Sequence, residues 1–252
     1  MKFMEYIASH QVFTTAQLMS TIASRSSAKS LLSRAVSSGK IENVRRGLYV
    51  SKTGKFTGEN ADPFAIIATL DSSAILSFHS ALEAHGVAHT VAATCQFRSS
   101  SIKSKFIYSN IEYLPYPIKG AVETQRLRGK AFESVKLTTR EQTVIDCLKY
   151  PERCGGIEEV VRSLAALPYI DQQALAKLLK KQSIAVKSRV GWLLDAQRDD
   201  WHVDESMLDN LEAEIGAGPV RLDKKSGTAK GWVRRWNLLL PEPEEEVTSW
   251  LN

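Results

Sequence analysis

Cysteine is scarce in this chain, and no apolar run comes near the length a bilayer requires. Only Cys95, Cys147 and Cys154 carry thiols. Three thiols cannot all pair and none lies in a CxxC, so neither a disulfide framework nor a structural zinc site is indicated. Reduced, mostly buried thiols are expected. Apolar stretches fall well short of the roughly eighteen residues that crossing hydrocarbon takes, and the start Met1-Lys2-Phe3-Met4-Glu5-Tyr6 lacks the apolar core of a signal peptide. A cytoplasmic protein without membrane association is expected. No repeat of fixed period is present, which argues against an α-solenoid. The chain is 43% hydrophobic and 24% charged over 252 residues, an ordinary globular composition long enough for one large or two modest domains.

The signatures of common catalytic and metal sites are missing as well. His79, His85 and His89 lie close in sequence, but Gly86 breaks the helix that would align the last two, and no HExxH or neighbouring acidic cluster completes a zinc set. They read as core or capping histidines. Cys147 sits in an apolar helical run with nothing to bring a histidine to it, so it reads as a packed small side chain. Gly155-Gly156 ahead of a helix could hold an anion, yet without a GxxxxGK[ST] loop it reads as a helix-start turn. Asp146 interrupts an apolar run and must either face water or find donors, for example an arginine. No catalytic residue, metal or cofactor is expected.

What the sequence does contain is concentrated in residues 13–50. Thr14-Thr15-Ala16-Gln17 is a capping box opening a short helix that carries Leu18 and Met19. From Ser27 to Ser38, Ala28, Leu31, Leu32, Ala35 and Val36 recur at helical period and predict one buried stripe, leaving Lys29, Ser30, Ser33, Arg34 and Ser37 on the opposite arc. Gly39 ends that helix. Ile41-Glu42-Asn43-Val44 and Leu48-Tyr49-Val50 then predict two strands around an Arg45-Arg46-Gly47 tip. The order is that of a winged helix-turn-helix, whose second helix enters the major groove while the wing meets the adjoining backbone or minor groove. Charge agrees: residues 1–56 hold nine basic side chains against Glu5 and Glu42, a net of +7 where the whole chain carries +5. Phosphate neutralisation needs such an excess. Arg25, Ser27, Lys29, Ser30, Ser33, Arg34, Arg45 and Arg46 are the expected DNA-reading residues.

Lys52 to Asp62 reads as a linker to a second domain, so the expected division is 1–56 and 57–252. Pro63 to Thr69 predicts a short helix, and Ala74 to Gly86 a helix, with room for a short extended piece before it. Strand-like pieces follow at Ala92 to Arg98, Lys105 to Tyr108, Ile111 to Leu114, Val122 to Leu127 and Glu133 to Leu137, giving an antiparallel or mixed sheet. Thr138-Thr139 caps a helix that Pro151 ends. Gly156 to Leu167, Asp171 to Lys181 and Ser183 to Gln197 predict three more amphipathic helices in a packed cluster. The tail Pro241 to Glu246 reads as exposed and extended. The fold class is therefore α+β: a winged helix-turn-helix, then a larger domain with a sheet and a C-terminal helical cluster.

Phe13-Thr14-Thr15-Ala16-Gln17-Leu18, the segment from Leu32 to Val50, and Leu76-Ser77-Phe78-His79-Ser80-Ala81-Leu82-Glu83-Ala84-His85-Gly86 together resemble the AbiEi antitoxin family of type IV toxin–antitoxin systems. Thr139 to Leu148 resembles that family's helix after its sheet, and Arg234-Arg235-Trp236-Asn237-Leu238 its closing strand. The resemblance implies a non-enzymatic autorepressor whose winged helix binds inverted repeats of double-stranded promoter DNA. It also implies a carboxy-terminal domain that opposes a nucleotidyltransferase toxin without a stable complex, in a monomer or weak dimer. For an antitoxin surface only basic positions can be nominated: Arg126, Arg128 and Lys130 near the sheet, and Lys177, Lys180, Lys181, Lys187 and Arg189 on the late helices. A solvated basic face is the ordinary reading of such charges. A stand-alone regulator whose second domain senses a small molecule is the alternative from another class, and a nucleic-acid-processing enzyme a third.

Overall fold

The computed structural model describes residues 2–21 and 25–251, the side chains of residues 25–27 excepted. Two compact units emerge: Met1–Leu76 with Ala93–Lys119 and Arg126–Lys136, and Ser77–Ala92 with Gly120–Gln125 and Leu137–Asn252. The chain opens with α1 (Phe3–Ser9), β1 (Val12–Thr14), α2 (Thr15–Thr21), α3 (Arg25–Ser37), the hairpin β2 (Ile41–Arg45) and β3 (Leu48–Ser51), α4 (Pro63–Leu70) and β4 (Ile75–Leu76). After α5 (His79–His85) come β5 (Thr94–Arg98), β6 (Phe106–Tyr108), β7 (Ile111–Tyr116), β8 (Thr124–Leu127) and β9 (Val135–Thr138). The remainder is α6 (Arg140–Lys149), α7 (Ile157–Ala165), α8 (Gln172–Leu179), α9 (Ile184–Ala196), α10 (Glu205–Glu212), β10 (Val220–Arg221), β11 (Gly231–Val233), β12 (Leu238–Leu240) and α11 (Glu244–Ser249). Among the described residues no helix is long and apolar enough to cross a membrane.

The helix-turn-helix-like region forms for the reasons its sequence suggests. Thr14 N–H donates to Gln17 Oε1 at 2.7 Å and Gln17 N–H returns to Thr14 Oγ1 at 3.1 Å, closing the capping box at the start of α2. Tyr6, Ile7, Phe13, Leu18, Leu32, Ala35 and Ile41 make its core, each large member contributing about 1.5–3 kcal/mol by leaving water. Phe13 meets Tyr6 edge-on, ring centroids 5.5 Å apart. Val36 departs from the expected stripe, being 38% exposed, because it lines an open groove between α3 and the hairpin and is not covered by another element. The small sheet has the order β1-β3-β2 and is antiparallel throughout.

A larger sheet has the order β6-β7-β5-β4-β9-β8. It is mixed, since β5 and β7 run parallel while β4–β5 and β6–β7 are antiparallel. The five expected strands are all present, but the helix expected from Ala74 begins only at His79, and Ile75–Leu76 inside that stretch forms β4. In the second unit, the Thr139 side chain caps α6 by accepting from Gln142 N–H at 3.3 Å.

Several stretches differ from the sequence reading. Lys52 to Asp62 is largely exposed but anchored, holding a 3-10 turn at Gly54–Phe56 with Phe56 and Ala61 buried, and α4 beyond it packs on β1 within the first unit. The first unit thus extends past residue 56. Arg234 to Asn237 is a turn, not a strand, leading into β12 of a third sheet ordered β10-β12-β11. The acidic tail is α11 rather than extended chain, because Pro243 stands at the N-cap where its missing N–H does no harm and Glu244, Glu245 and Glu246 face the positive end of the helix dipole. Finally, α1 and α10 are helices that the sequence pattern does not announce.

Candidate nucleic-acid interface

The exposed arc of α3 and the β2–β3 hairpin border one open groove, with Lys29, Ser33 and Ser37 from the helix and Asn43, Arg46 and Tyr49 from the hairpin. Leu32 and Val36 form part of its floor. Asn43 and Tyr49 are cross-strand partners, which is why their side chains stand together on one face. The hairpin turn is Arg46-Gly47. Gly47 has φ of 82°, a conformation that only glycine adopts without strain. Thr15 N–H donates to Gly47 O at 2.9 Å, so the first residue of α2 holds the tip of the hairpin. Sequence reasoning missed Asn43, Tyr49 and Thr15 as groove residues. A strand register through Gly47 would have exposed the first two.

Lys29, Ser30, Ser33, Arg34 and Arg46 are exposed, as an interface with phosphate requires. Arg34 Nε donates to Ser30 O at 3.3 Å along its own helix, a bond an incoming phosphate can replace. Arg25 and Ser27 lie in the first turn of α3, but their side chains fall outside the described residues. Arg45 departs from expectation. It is the last residue of β2, half-buried, with its guanidinium carbon 5.0 Å from the centroid of Phe106. A bulge between Asn43 and Arg45 shifts the register there, so simple alternation assigns Arg45 to the wrong side.

Charge is divided more sharply than the sequence ends suggest. Within the segments of the first unit there are seventeen Lys and Arg against seven Asp and Glu, a net of +10; the second holds sixteen against twenty-one, a net of −5. A polyanion is drawn to the first unit and repelled by the second.

The nominated basic positions outside α3 do not form a single class. Arg126, Arg128, Lys130, Lys177, Lys180 and Lys181 are exposed, Arg126 donating to Ser134 Oγ at 3.0 Å. Lys187 and Arg189 are not surface residues, at 8% and 1% exposure. Lys187 pairs with Glu214. Arg189 donates to Leu148 O at 3.1 Å and twice to Arg221 O, at 2.8 and 2.6 Å. Every residue of α9 from Val186 to Leu194 is buried, which leaves no free face for these two cations.

In the second unit, Asp146 is buried and accepts from Gln142 Nε2 at 3.1 Å. All three cysteines are free and buried, with Cys147 and Cys154 Sγ atoms 3.6 Å apart. His85 ends α5 and meets Thr138 O at 3.0 Å through Nε2. His79 has two acidic neighbours: its Nδ1 is 3.5 Å from Glu83 and its Nε2 3.4 Å from Glu159. The fold supplies Glu159 from eighty residues away in sequence, which is why no local pattern announced it. Among the described residues no group of His, Cys, Asp and Glu is arranged to hold a metal.

Burial pushes the His79 value down, but the two carboxylates outweigh it and the net shift is upward from 6.5. An imidazolium held this way contributes stability that is complete below pH 6.5 and is lost as pH rises through the raised native value. Glu159, lowered by donors from Thr90 and Ser163 against the opposing effect of burial, loses its contribution at the acid end. Thermal midpoints measured across pH should therefore decline more above neutrality for the native chain than for His79→Gln. Parallel curves for the two proteins would show that the carboxylate pair does not hold a charged His79.

Residues 2–52 match the family described as transcriptional regulator, AbiEi antitoxin. A comparison of the whole chain with curated proteins gives no match. Among solved structures, the crystal structure of the RV2827C protein from Mycobacterium tuberculosis is similar over 96% of this chain and 88% of that one, with a TM-score of 0.66 and 15% identity. At that identity the likeness is one of fold: an α+β chain with a helix-turn-helix-like amino-terminal region.

Proposed function

We propose, from an amino-terminal region that matches the AbiEi antitoxin regulators, that this chain is a DNA-binding autorepressor and the antitoxin of a type IV pair. One observation carries the reading: Lys29 and Arg46, from helix and wing, border a single groove in a unit whose net charge is strongly positive. In the winged-helix mode α3 lies in the major groove, where Lys29 and Arg34 reach phosphates or guanine edges and Ser30 and Ser33 allow close approach. Arg46 reaches the flanking backbone or minor groove. Inverted repeats would be read by two copies about one helical turn or a multiple apart, the chain being a monomer or weak dimer off DNA.

The second role is opposition to a nucleotidyltransferase toxin without a stable complex, by binding rather than catalysis and without a cofactor. Arg126, Arg128, Lys130, Lys177, Lys180 and Lys181 are the exposed cations nominated for it; the burial of Lys187 and Arg189 takes them out of that set. A reporter driven by the sequence upstream of the chain's own reading frame should fall in output when the chain is supplied. Co-expression with a neighbouring nucleotidyltransferase frame should restore growth while the two proteins elute separately. Unchanged reporter output would refute the repressor role, and unrelieved toxicity the antitoxin role.

A further inference from the structure

The wing does not stand free. Its strand β2 packs against β6, a strand of the larger sheet in the same unit and outside the segment that matches the regulator family. Two side chains of β6 meet it. Phe106 receives the Arg45 guanidinium 5.0 Å from its ring centroid and stacks in turn on Tyr113 of β7, centroids 4.5 Å apart and planes 3° from parallel. Tyr113 is fully buried, so the stack runs from the wing into the core of the sheet. Tyr108 Oη donates to Glu42 Oε2 at 2.5 Å, and Lys52 at the foot of β3 lies 3.6 Å from the same carboxylate oxygen. Burial and the Glu42 carboxylate push the Tyr108 phenol far above its usual value, so it remains a donor at any working pH. Phe106 and Tyr108 alternate with exposed Lys105 and Ile107, as β geometry demands of a strand with one face on the wing.

We propose that β6 is part of the DNA reader: Phe106 and Tyr108 are positioning residues that fix the angle of the wing on α3, and thereby where Arg46 meets the duplex. The inference rests on the DNA-binding reading above. Arg45, at the end of β2, is on this view an anchor of the wing, while its neighbour Arg46 touches the duplex. The anchor is attached at two points on one strand, a cation over a ring and a charge-assisted hydrogen bond, which together resist both rotation and sliding of the hairpin. Strand β3 is already paired along its length with β1, and Thr15 holds the turn at Gly47. Among the described residues the outer strand β2 has no further strand beside it in that small sheet, and it is this edge of the wing that the β6 side chains fix.

The test uses the full chain and a duplex cut from the sequence directly upstream of its own reading frame. In Phe106→Leu/Tyr108→Phe the thermal midpoint should stay near that of the parent, since apolar volume is largely kept. Affinity should fall by about tenfold, roughly one charge-assisted hydrogen bond's worth of positioning. At saturating protein, backbone protection should disappear at the flank beneath the wing and persist where α3 lies. A purely structural role would lower the midpoint and leave the footprint of the folded protein whole. Should the double variant prove unstable, Tyr108→Phe alone removes a single oxygen and should give the same effect at the flank in smaller degree. Parental affinity and an intact flank footprint in the variants would overturn the proposal. Lys29→Ala/Arg46→Ala, measured alongside, separates the two claims: if that variant also binds as the parent does, the DNA-binding reading fails as well.

Discussion

Lys29→Ala combined with Arg46→Ala should weaken binding to upstream duplex by roughly 1–3 kcal/mol for each side chain truncated, and should reduce the slope of log affinity against log salt by about two. Affinity and slope respond to different things. A weaker affinity alone could come from a disturbed helix, whereas each phosphate-bound cation releases close to one counterion and its removal must appear in the slope. Both residues are exposed and border the groove, so the fold should tolerate their truncation. Arg45→Ala provides the contrast. Its guanidinium lies over Phe106, so it should weaken binding without removing a unit of slope directly. Equal slope reductions for Arg45 and Arg46 would mean that Arg45 swings out to DNA.

The largest stability effects should come from the second unit, at the closest approach of α9 to the turn before β12. Trp236 is fully buried; its Nε1 donates to Asp195 Oδ2 at 2.9 Å and its carbonyl accepts from Ser188 Oγ. Its ring lies directly over Gly191, where an added Cβ would stand 2.2 Å from Cζ3. Neighbouring Arg235 gathers Asp195, Glu205, Asp209 and Glu212 within 3.4 Å. Trp236→Ala should destabilise by about 3–5 kcal/mol through the cavity it leaves. Gly191→Ala should cost about 1–3 kcal/mol or more by overpacking, because the atom it meets is a rigid ring and not the end of a flexible chain. Denaturant unfolding measures both. A change below about 0.5 kcal/mol for Gly191→Ala, the ordinary size of a neutral surface substitution, would show that the ring can move aside.

Local chemistry makes much of this fold readable. The Thr14–Gln17 capping box, the stop at Gly39 and the Thr139 cap each join residues three apart in sequence, so their consequences are written in nearby letters. Alternation and turn residues suffice to find five of the six strands of the larger sheet, while β4, only two residues long, falls inside the stretch read as helix. What cannot be read depends on partners distant in sequence. Arg45 reads as part of an exposed tip because neither its place in β2 nor the bulge beside it has a signature until its pairing with Leu48 is known. Lys187 and Arg189 look like surface cations because a helix buried nearly all round shows no clean polar arc, and the carbonyls and the Glu214 carboxylate that satisfy them come from other elements. Tyr108 and Phe106 give no sign at all of lying on the wing, sixty residues from Arg45. The acidic tail misleads for a different reason: Pro-Glu repetition suggests extended chain, whereas a proline at an N-cap followed by three glutamates also begins a helix.

A competition experiment with the full chain bears most directly on the central claim that this groove reads a particular duplex. Labelled upstream DNA, bound at physiological salt, is displaced with the same unlabelled duplex or with one of identical length and composition in scrambled order. Preference for the native order by at least about a thousandfold, the lower end for specific readers, is the expected result. Equal displacement by both would contradict it, leaving a basic surface that attracts nucleic acid without reading it.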